Sequence, residues 1–586
     1  MNQFFKFMFA SMLGTFLILF LLGVIFSGII TAIVIASSNK EVVISQNTVL
    51  HVKLDKEIMD RSPKMPLFSG FQMPYKTIGL NEILENLAKA AKDNNIKGIY
   101  LDLSGLQAGI STIDEIRDGL LEFKKSGKFI WAYSEAYNQA TYYLATTADK
   151  IFLNPEGGVI FKGLNAQMPF IKGTLDKLDI KIQVMRHGKF KAATEPLFLD
   201  KMSPENRKQI TEIINDSWDK LLTGISETRK ISKEDLNKIA DDLSIETAQD
   251  ALKYKFVDQL VYKDELIDEM KKKLNIGEKE KIRFAAFEKY TDVAVRETPT
   301  IKKEKIAVIY ALGSIGEGDG DDESIGSESM SKAIRKARED KSIKAIVFRV
   351  NSGGGSALAS DVIWREIDLA RKVKPVVASF GDVAGSGGYY VACAATKILA
   401  DPTTITGSIG VFGVIPNFQG LFNKKLGITF DNAGTNKNSD YISVTKPLSA
   451  YQAMMIQRDV DHIYDVFTAK VAAGRNMKQT RVDSIGQGRI WSGTDAKTIG
   501  LIDDFGGLTK AIQLAAELAK VKHYKLINLP EQKDAFDQII DEIFGKDPST
   551  MIQQALGEDY KLFQYLKEIR EMKGVQARML YNIYLN

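Results

Sequence analysis

The chain repeats itself, and that limits its fold more than any other property of the sequence. Asn94-Asn95-Ile96-Lys97-Gly98-Ile99-Tyr100-Leu101-Asp102 aligns with Lys341-Ser342-Ile343-Lys344-Ala345-Ile346-Val347-Phe348-Arg349, an offset of 247 from Ile96 to Ile343. The register then runs without a gap to Pro155 and Pro402, pairing Asp114 with Asp361, Tyr142-Tyr143 with Tyr389-Tyr390 and Lys150-Ile151 with Lys397-Ile398. Identity at so many fixed positions means one fold used twice. Each copy opens on an apolar run, Thr48 to Leu54 or Lys305 to Leu312, and alternates strands with amphipathic helices such as Leu80 to Lys92 and Glu328 to Glu339. The expected class is therefore α/β, in tandem duplicated domains. The first repeat is expected over 41–298, the second over 299–527, and a tail of packing or assembly role over 528–586, with Arg296 to Lys303 as the linker.

Residues 1–40 form a separate unit. No charge occurs from Phe7 to Ser38, and Phe9 to Ala36 is almost wholly apolar, whereas a bilayer-spanning helix needs only roughly 20 such residues. The run is longer than a signal-peptide core, and Ala36-Ser37-Ser38 is a poor cleavage site, so an uncleaved membrane anchor is expected. Lys6 before the span and Lys40-Glu41 after it scarcely bias its orientation. With 45% hydrophobic and 26% charged residues and a net charge of +4, the rest has an ordinary globular composition and no field that calls for nucleic acid. One cysteine, Cys393, excludes an intramolecular disulfide, and it forms no metal-ligand spacing with His51, His187, His462 or His523. Neither a metal nor another cofactor is expected.

The two copies differ where chemistry can occur. In the second, the apolar run Pro375 to Ser379 leads through Phe380-Gly381-Asp382-Val383-Ala384-Gly385-Ser386-Gly387-Gly388-Tyr389-Tyr390 into a small-residue helix around Val391-Ala392-Cys393. Ser386 thus falls at a strand-to-helix corner, where backbone N–H groups lack helical partners and can face a developing oxyanion. Asn351-Ser352-Gly353-Gly354-Gly355-Ser356 is a second glycine-rich turn suited to offering N–H groups. The first copy has Asn138-Gln139-Ala140-Thr141 and Ser104-Gly105-Leu106-Gln107-Ala108 at these registers, and so supplies no such nucleophile. A serine hydroxyl needs a base. No histidine stands in a Ser-His-Asp pattern; a lysine can serve if burial lowers its pKa, and Lys189 and Lys191 both interrupt a small, apolar run, His187 to Pro196.

These segments resemble the long, double-domain form of the signal peptide peptidase A family, serine proteases of the Clp-protease/crotonase superfamily. The resemblance covers most of the chain. It carries the family's nucleophile, in a Gly-Ser-Gly-Gly-Tyr-Tyr segment, onto Ser386, and its lysine base onto Lys191 in Phe190-Lys191-Ala192-Ala193-Thr194-Glu195-Pro196 rather than onto Lys189. With one gap before Leu426, Lys191 falls in register with Ser439 of the second copy, so each half has kept one member of the dyad. The resemblance also implies an oxyanion hole from the Gly387 and Gly354 N–H groups, although the family's Asn-Ser-Pro-Gly-Gly reads Asn351-Ser352-Gly353-Gly354-Gly355 here, and a lysine-orienting serine at Ser408. Glu195, four residues from Lys191, is expected to point elsewhere, because a touching carboxylate would raise the amine's pKa.

What this implies is a membrane-anchored Ser/Lys endopeptidase acting on extended peptides, cleaved signal peptides in particular. A homotetramer with a single-pass anchor and its catalytic domains on the extracytoplasmic side of the inner membrane comes with the same resemblance. The alternatives are an acyl-CoA-type enzyme of the crotonase fold, which shares the glycine turn but needs no Ser386–Lys191 pair, and a non-catalytic membrane scaffold.

Overall fold

The structure is a computed structural model and describes residues 2–38, 44–62, 77–293, 304–532 and 575–579. The expected linker, Arg296 to Lys303, lies outside the described residues. Each repeat is built on six parallel strands, and the strand order is the same in both. In the first it runs Arg283–Ala286, Thr48–Lys53, Ile96–Asp102, Phe129–Tyr137, Lys150–Val159, Gln259–Leu260. In the second it runs Tyr524–Leu529, Glu304–Leu312, Ile343–Ser352, Val376–Gly385, Lys397–Ala400, Asp504–Phe505. Even an irregularity is shared: the register slips between Thr48 and Val49 in one copy and between Lys305 and Ile306 in the other. The strands are continuous apolar runs because helices cover both faces. Ile306, Val308 and Tyr310 pack with Leu508, Ala511 and Ala515 on one face, while Ala307, Ile309 and Ala311 join the main core on the other.

Three departures from strict repetition matter. The boundary expected after residue 527 falls inside the Tyr524–Leu529 strand, which completes the second sheet as Arg283–Ala286 completes the first. The second sheet also gains Ile405–Gly407 and Ile490–Ser492 beside the end of the Val376–Gly385 strand. A further sheet belongs to neither copy alone: Lys181–Arg186 of the first repeat pairs antiparallel with Phe412–Asn417 of the second, from Lys181↔Asn417 to Arg186↔Phe412.

Helices reinforce this seam. Pro204–Arg229, capped by Ser203, leans on the second repeat: Ile490 N–H donates to Gln209 Oε1, Arg489 pairs with Glu212, and Ser492 Oγ donates to Asp216. Its counterpart Ala450–Arg475 opens with a capping box from Ser449 and Gln452. At the N-terminus, residues Asn2–Ser38 form one helix, of which Gln3–Ile25 is apolar and long enough to cross a membrane.

Candidate active site

Ser386 ends the Val376–Gly385 strand and caps the Gly387–Ala392 helix, with its own backbone at φ 54° and ψ −116°. A non-glycine residue held there costs about 1–3 kcal/mol and persists only where its surroundings enforce it. Here they do: Ser386 N–H donates to Gly407 O, and its carbonyl accepts from Tyr390 N–H. The flanking residues must be small, since a Cβ on Gly388 would lie 2.4 Å from Ser352 O, and one on Gly387 would lie 2.7 Å from Ser360 Oγ.

Lys191 reaches this corner from the other repeat. Antiparallel pairing carries the chain along Phe412–Asn417 as far as Arg186; His187 N–H then bonds Val411 O and Phe190 N–H bonds Gln487 O. The side chain that follows enters a slot walled by glycine. A Cβ on Gly488 would fall 2.5 Å from Lys191 Cβ, and one on Gly410 would lie 3.3 Å from its Cδ. Lys191 Nζ ends 2.7 Å from Ser386 Oγ, 2.9 Å from Ser408 Oγ and 3.2 Å from Ser408 O. Both Lys191 and Ser386 are buried, at 1% and 0% exposure.

Burial alone pushes the Lys191 amine well below its ordinary value; among the described residues no carboxylate stands close enough to oppose it. A neutral amine has two N–H groups and one lone pair. Ser408 offers two acceptors, its carbonyl and its hydroxyl oxygen, enough for both N–H groups; the lone pair then faces the Ser386 hydroxyl, whose other partner is Gly410 O at 3.3 Å. Ser408 is itself at φ 50°, held by its N–H bond to Arg489 O.

The other candidates are placed as clearly. Glu195 turns away from the amine and accepts from Ser203 N–H and Asn206 Nδ2. Lys189 is exposed beside the Phe190 ring, and His187 is bound to Asp461 and stacked on Tyr464. Cys393 is fully buried, and its thiol is pushed up to about 12 by that burial. Ser439, in register with Lys191, is exposed, in a part of the second repeat that has no strand corresponding to Lys181–Arg186. Gly354 lies at φ 96° with its α-carbon against Gly387, and its N–H donates to Ser352 Oγ at 3.1 Å.

Two features escaped the sequence. The first is residues 575–579: the Gln576–Arg578 strand pairs antiparallel with Gly354–Ser356, Met579 N–H bonds Gly353 O, and the Met579 side chain packs among Ile210, Ile213, Ile405 and Ile490. The second is a buried polar cluster joining the repeats around Arg349, which contacts Asp60 and Glu115 of the first. Arg349, a charge at a buried position of the strand Ile343–Ser352, was its signal, since a buried strand rarely carries one unpaired.

Peptidase family S49 matches residues 122–277 and 368–522, one stretch in each repeat. Serine protease SPPA, chloroplastic, of Arabidopsis thaliana is 34% identical over 92% of this chain and 78% of its own length. Protease 4 of Salmonella typhi is 37% identical over 80% of this chain and 76% of its own, and that of Haemophilus influenzae 34% over 77% and 74%. The chain belongs to peptidase family S49. It is a serine protease, and the acyl-CoA and scaffold alternatives are left without support. A solved structure of a ClpP1 mutant from Listeria monocytogenes is matched over 35% of this chain and 94% of its own, at 14% identity and a TM-score of 0.24.

Proposed function

We propose that this S49 protease is a membrane-anchored endopeptidase whose dyad is Ser386 and Lys191, one from each repeat. The reading rests on one contact, the 2.7 Å between Lys191 Nζ and Ser386 Oγ in a site without a competing carboxylate. Neutral Lys191 takes the Ser386 proton as Oγ attacks the scissile carbonyl. The Gly387 and Gly354 N–H groups receive the oxyanion, the latter exchanging its bond to Ser352 for one to the substrate. Lys191, now protonated, gives its proton to the leaving amine, then takes one from the water that hydrolyses the acyl-enzyme. Ser408 keeps the amine aimed throughout.

An extended peptide is the substrate this groove suits. Between the Gly354–Ser356 strand and Phe412 the chain's own residues 576–578 already lie as a strand, with an apolar side chain, Met579, beside Gly385. Apolar peptides such as cleaved signal peptides match that lining, and the Gln3–Ile25 helix would hold the protease at the membrane that releases them, its repeats on the extracytoplasmic side. Assembly as a homotetramer belongs to the same reading.

Labelling by a fluorophosphonate probe tests the dyad. Wild type labels and hydrolyses a fluorogenic peptide, while folded Ser386→Ala and Lys191→Ala do neither; the loss for Lys191→Ala is about 10²–10⁴-fold, the usual worth of a positioned general base. Undiminished hydrolysis by Lys191→Ala rejects the dyad.

A further inference from the structure

The mechanism uses no residue of the first repeat except Lys191, yet that repeat sends a second group of side chains into the buried seam behind Ser386. The paired strands Ile343–Ser352 and Val376–Gly385 lose register there: Val350 faces Phe380, but Ser352 faces Ala384, so Gly381-Asp382-Val383 bulge out of the ladder. Asn351 fills the gap. Its Oδ1 accepts from Val383 N–H at 3.1 Å, its backbone carbonyl accepts from Gly313 N–H, and Gly381 lacks the Cβ that would lie 2.9 Å from Asn351 Cγ. One amide side chain therefore ties the glycine turn, three residues before Gly354, to the strand that ends in Ser386.

Asn351 is held in turn from the first repeat. Its Nδ2 donates to Asp60 Oδ2 at 2.7 Å, and the other oxygen of Asp60 accepts from Arg349 Nε at 2.5 Å. Arg349 also donates to Ser379 Oγ and Phe380 O on the nucleophile strand and to Glu115 Oε1. The bulge tip is gripped from the same side, since Asp382 accepts from Thr112 N–H and Thr112 Oγ. Asp60 and Arg349 are buried and Asn351 is half-buried, and at the buried end a hydrogen bond holds geometry firmly and a missing partner is costly.

We propose that Asp60 is a positioning residue for catalysis: through Asn351 it sets the glycine turn against Ser386, so that docking of the first repeat places the oxyanion donors as well as the base. This rests on the assignment of Ser386 and Gly354 above. Neither Asp60 nor Asn351 touches substrate; each acts through the backbone it fixes.

The geometry offers an exchange test. In Asp60→Asn two amide NH₂ groups meet, and in Asn351→Asp two carboxylates meet. In the double variant every bond can re-form: the new amide at 60 accepts from Arg349 and donates to the carboxylate at 351, which still accepts from Val383 N–H. Expected are a fall in kcat of about 10–100-fold in each single variant, as for misplacement of an oxyanion donor, a KM within about threefold of wild type, and recovery of most of kcat in the double variant. The acid limb of the pH–rate profile, set by Lys191, stays in place in all three. Ser111→Ala, which removes hydrogen bonds to Thr403 and Thr404 at the same seam but touches none of Asp60, Asn351 and Arg349, is the control; it lowers the thermal midpoint and leaves kcat unchanged.

The proposal is overturned if Asp60→Asn keeps wild-type kcat, if the folded double variant does not recover, or if Ser111→Ala, at an equal loss of thermal midpoint, loses as much kcat. Should Asn351→Asp not fold, Asp60→Asn against Ser111→Ala decides alone. Ser386→Ala is run in parallel: hydrolysis by that variant rejects the site assignment itself, whereas its inactivity with unaffected Asp60 variants rejects only the positioning role.

Discussion

Lys191, the proposed base, has to be a poor lysine to be a good one. Its amine is buried among glycine backbone, Ser386 and Ser408, and that burial holds its pKa well below the ordinary 10.5. Between the folded value and 10.5 the unfolded chain binds a proton that the folded protein does not, so stability rises with pH through that window and is lowest on its acid side. Lys191→Met removes both the base and that penalty. The variant is expected to lose about 10²–10⁴-fold in kcat/KM while gaining thermal stability, the gain shrinking as pH is raised towards 10; melting midpoints from pH 6 to 10 check it. Lys191→Arg keeps a positive charge at every such pH and cannot act as a base, so it is expected to be as inactive as Lys191→Met and less stable. Glycine marked Ser386 as a candidate in the sequence, whereas the small, apolar run left Lys189 and Lys191 both open and only the family resemblance chose between them; the structure brings Lys191, not Lys189, to Ser386. The exclusion of Glu195 was legible too, from charge logic alone.

At the scale of elements, the α/β repeat was readable from one ungapped register, because parallel strands buried on both faces leave continuous apolar runs. What could not be read is contact between segments far apart in sequence. Nothing in Lys181–Arg186 announces that its partner is Phe412–Asn417, yet that antiparallel pair is what delivers Lys191. Nor does anything in the tail announce that Gln576–Arg578 will join the glycine turn, since three residues carry no periodicity. That strand has a consequence of its own. It occupies the edge along which a peptide substrate would pair, and one of its anchors is the buried Met579 side chain, worth about 1.5–3 kcal/mol. Competition of that size hides the groove about tenfold or more. Ending the chain at residue 574 is therefore expected to raise the rate of fluorophosphonate labelling by about tenfold, and Met579→Asp to do nearly as much with the tail intact. Unchanged rates in both would show that the strand does not compete with ligands.

Across the whole molecule, the seam between repeats carries an electrostatic imbalance. Among the described residues, Arg349 is the one cation paired with both buried carboxylates, Asp60 and Glu115. One guanidinium cannot compensate both, and desolvation pushes Glu115 up to about 7 in spite of Arg349 and the Leu508 N–H it accepts. Between the ordinary 4.5 and about 7 the folded protein holds a proton on Glu115 that the unfolded chain has lost. The stability this adds is fully present below about 4.5 and disappears as pH rises through 7. Its slope is opposite to that of Lys191, so the rise in pH that frees the proposed base also charges the polar cluster between the repeats. Glu115→Gln cannot ionise and is expected to flatten the fall in thermal midpoint between pH 5 and pH 8. The comparison is between the pH slopes of variant and wild type, since the amide also gives up one acceptor and shifts every midpoint together. Equal slopes would mean that Glu115 is ionised throughout and that Arg349 balances both carboxylates after all.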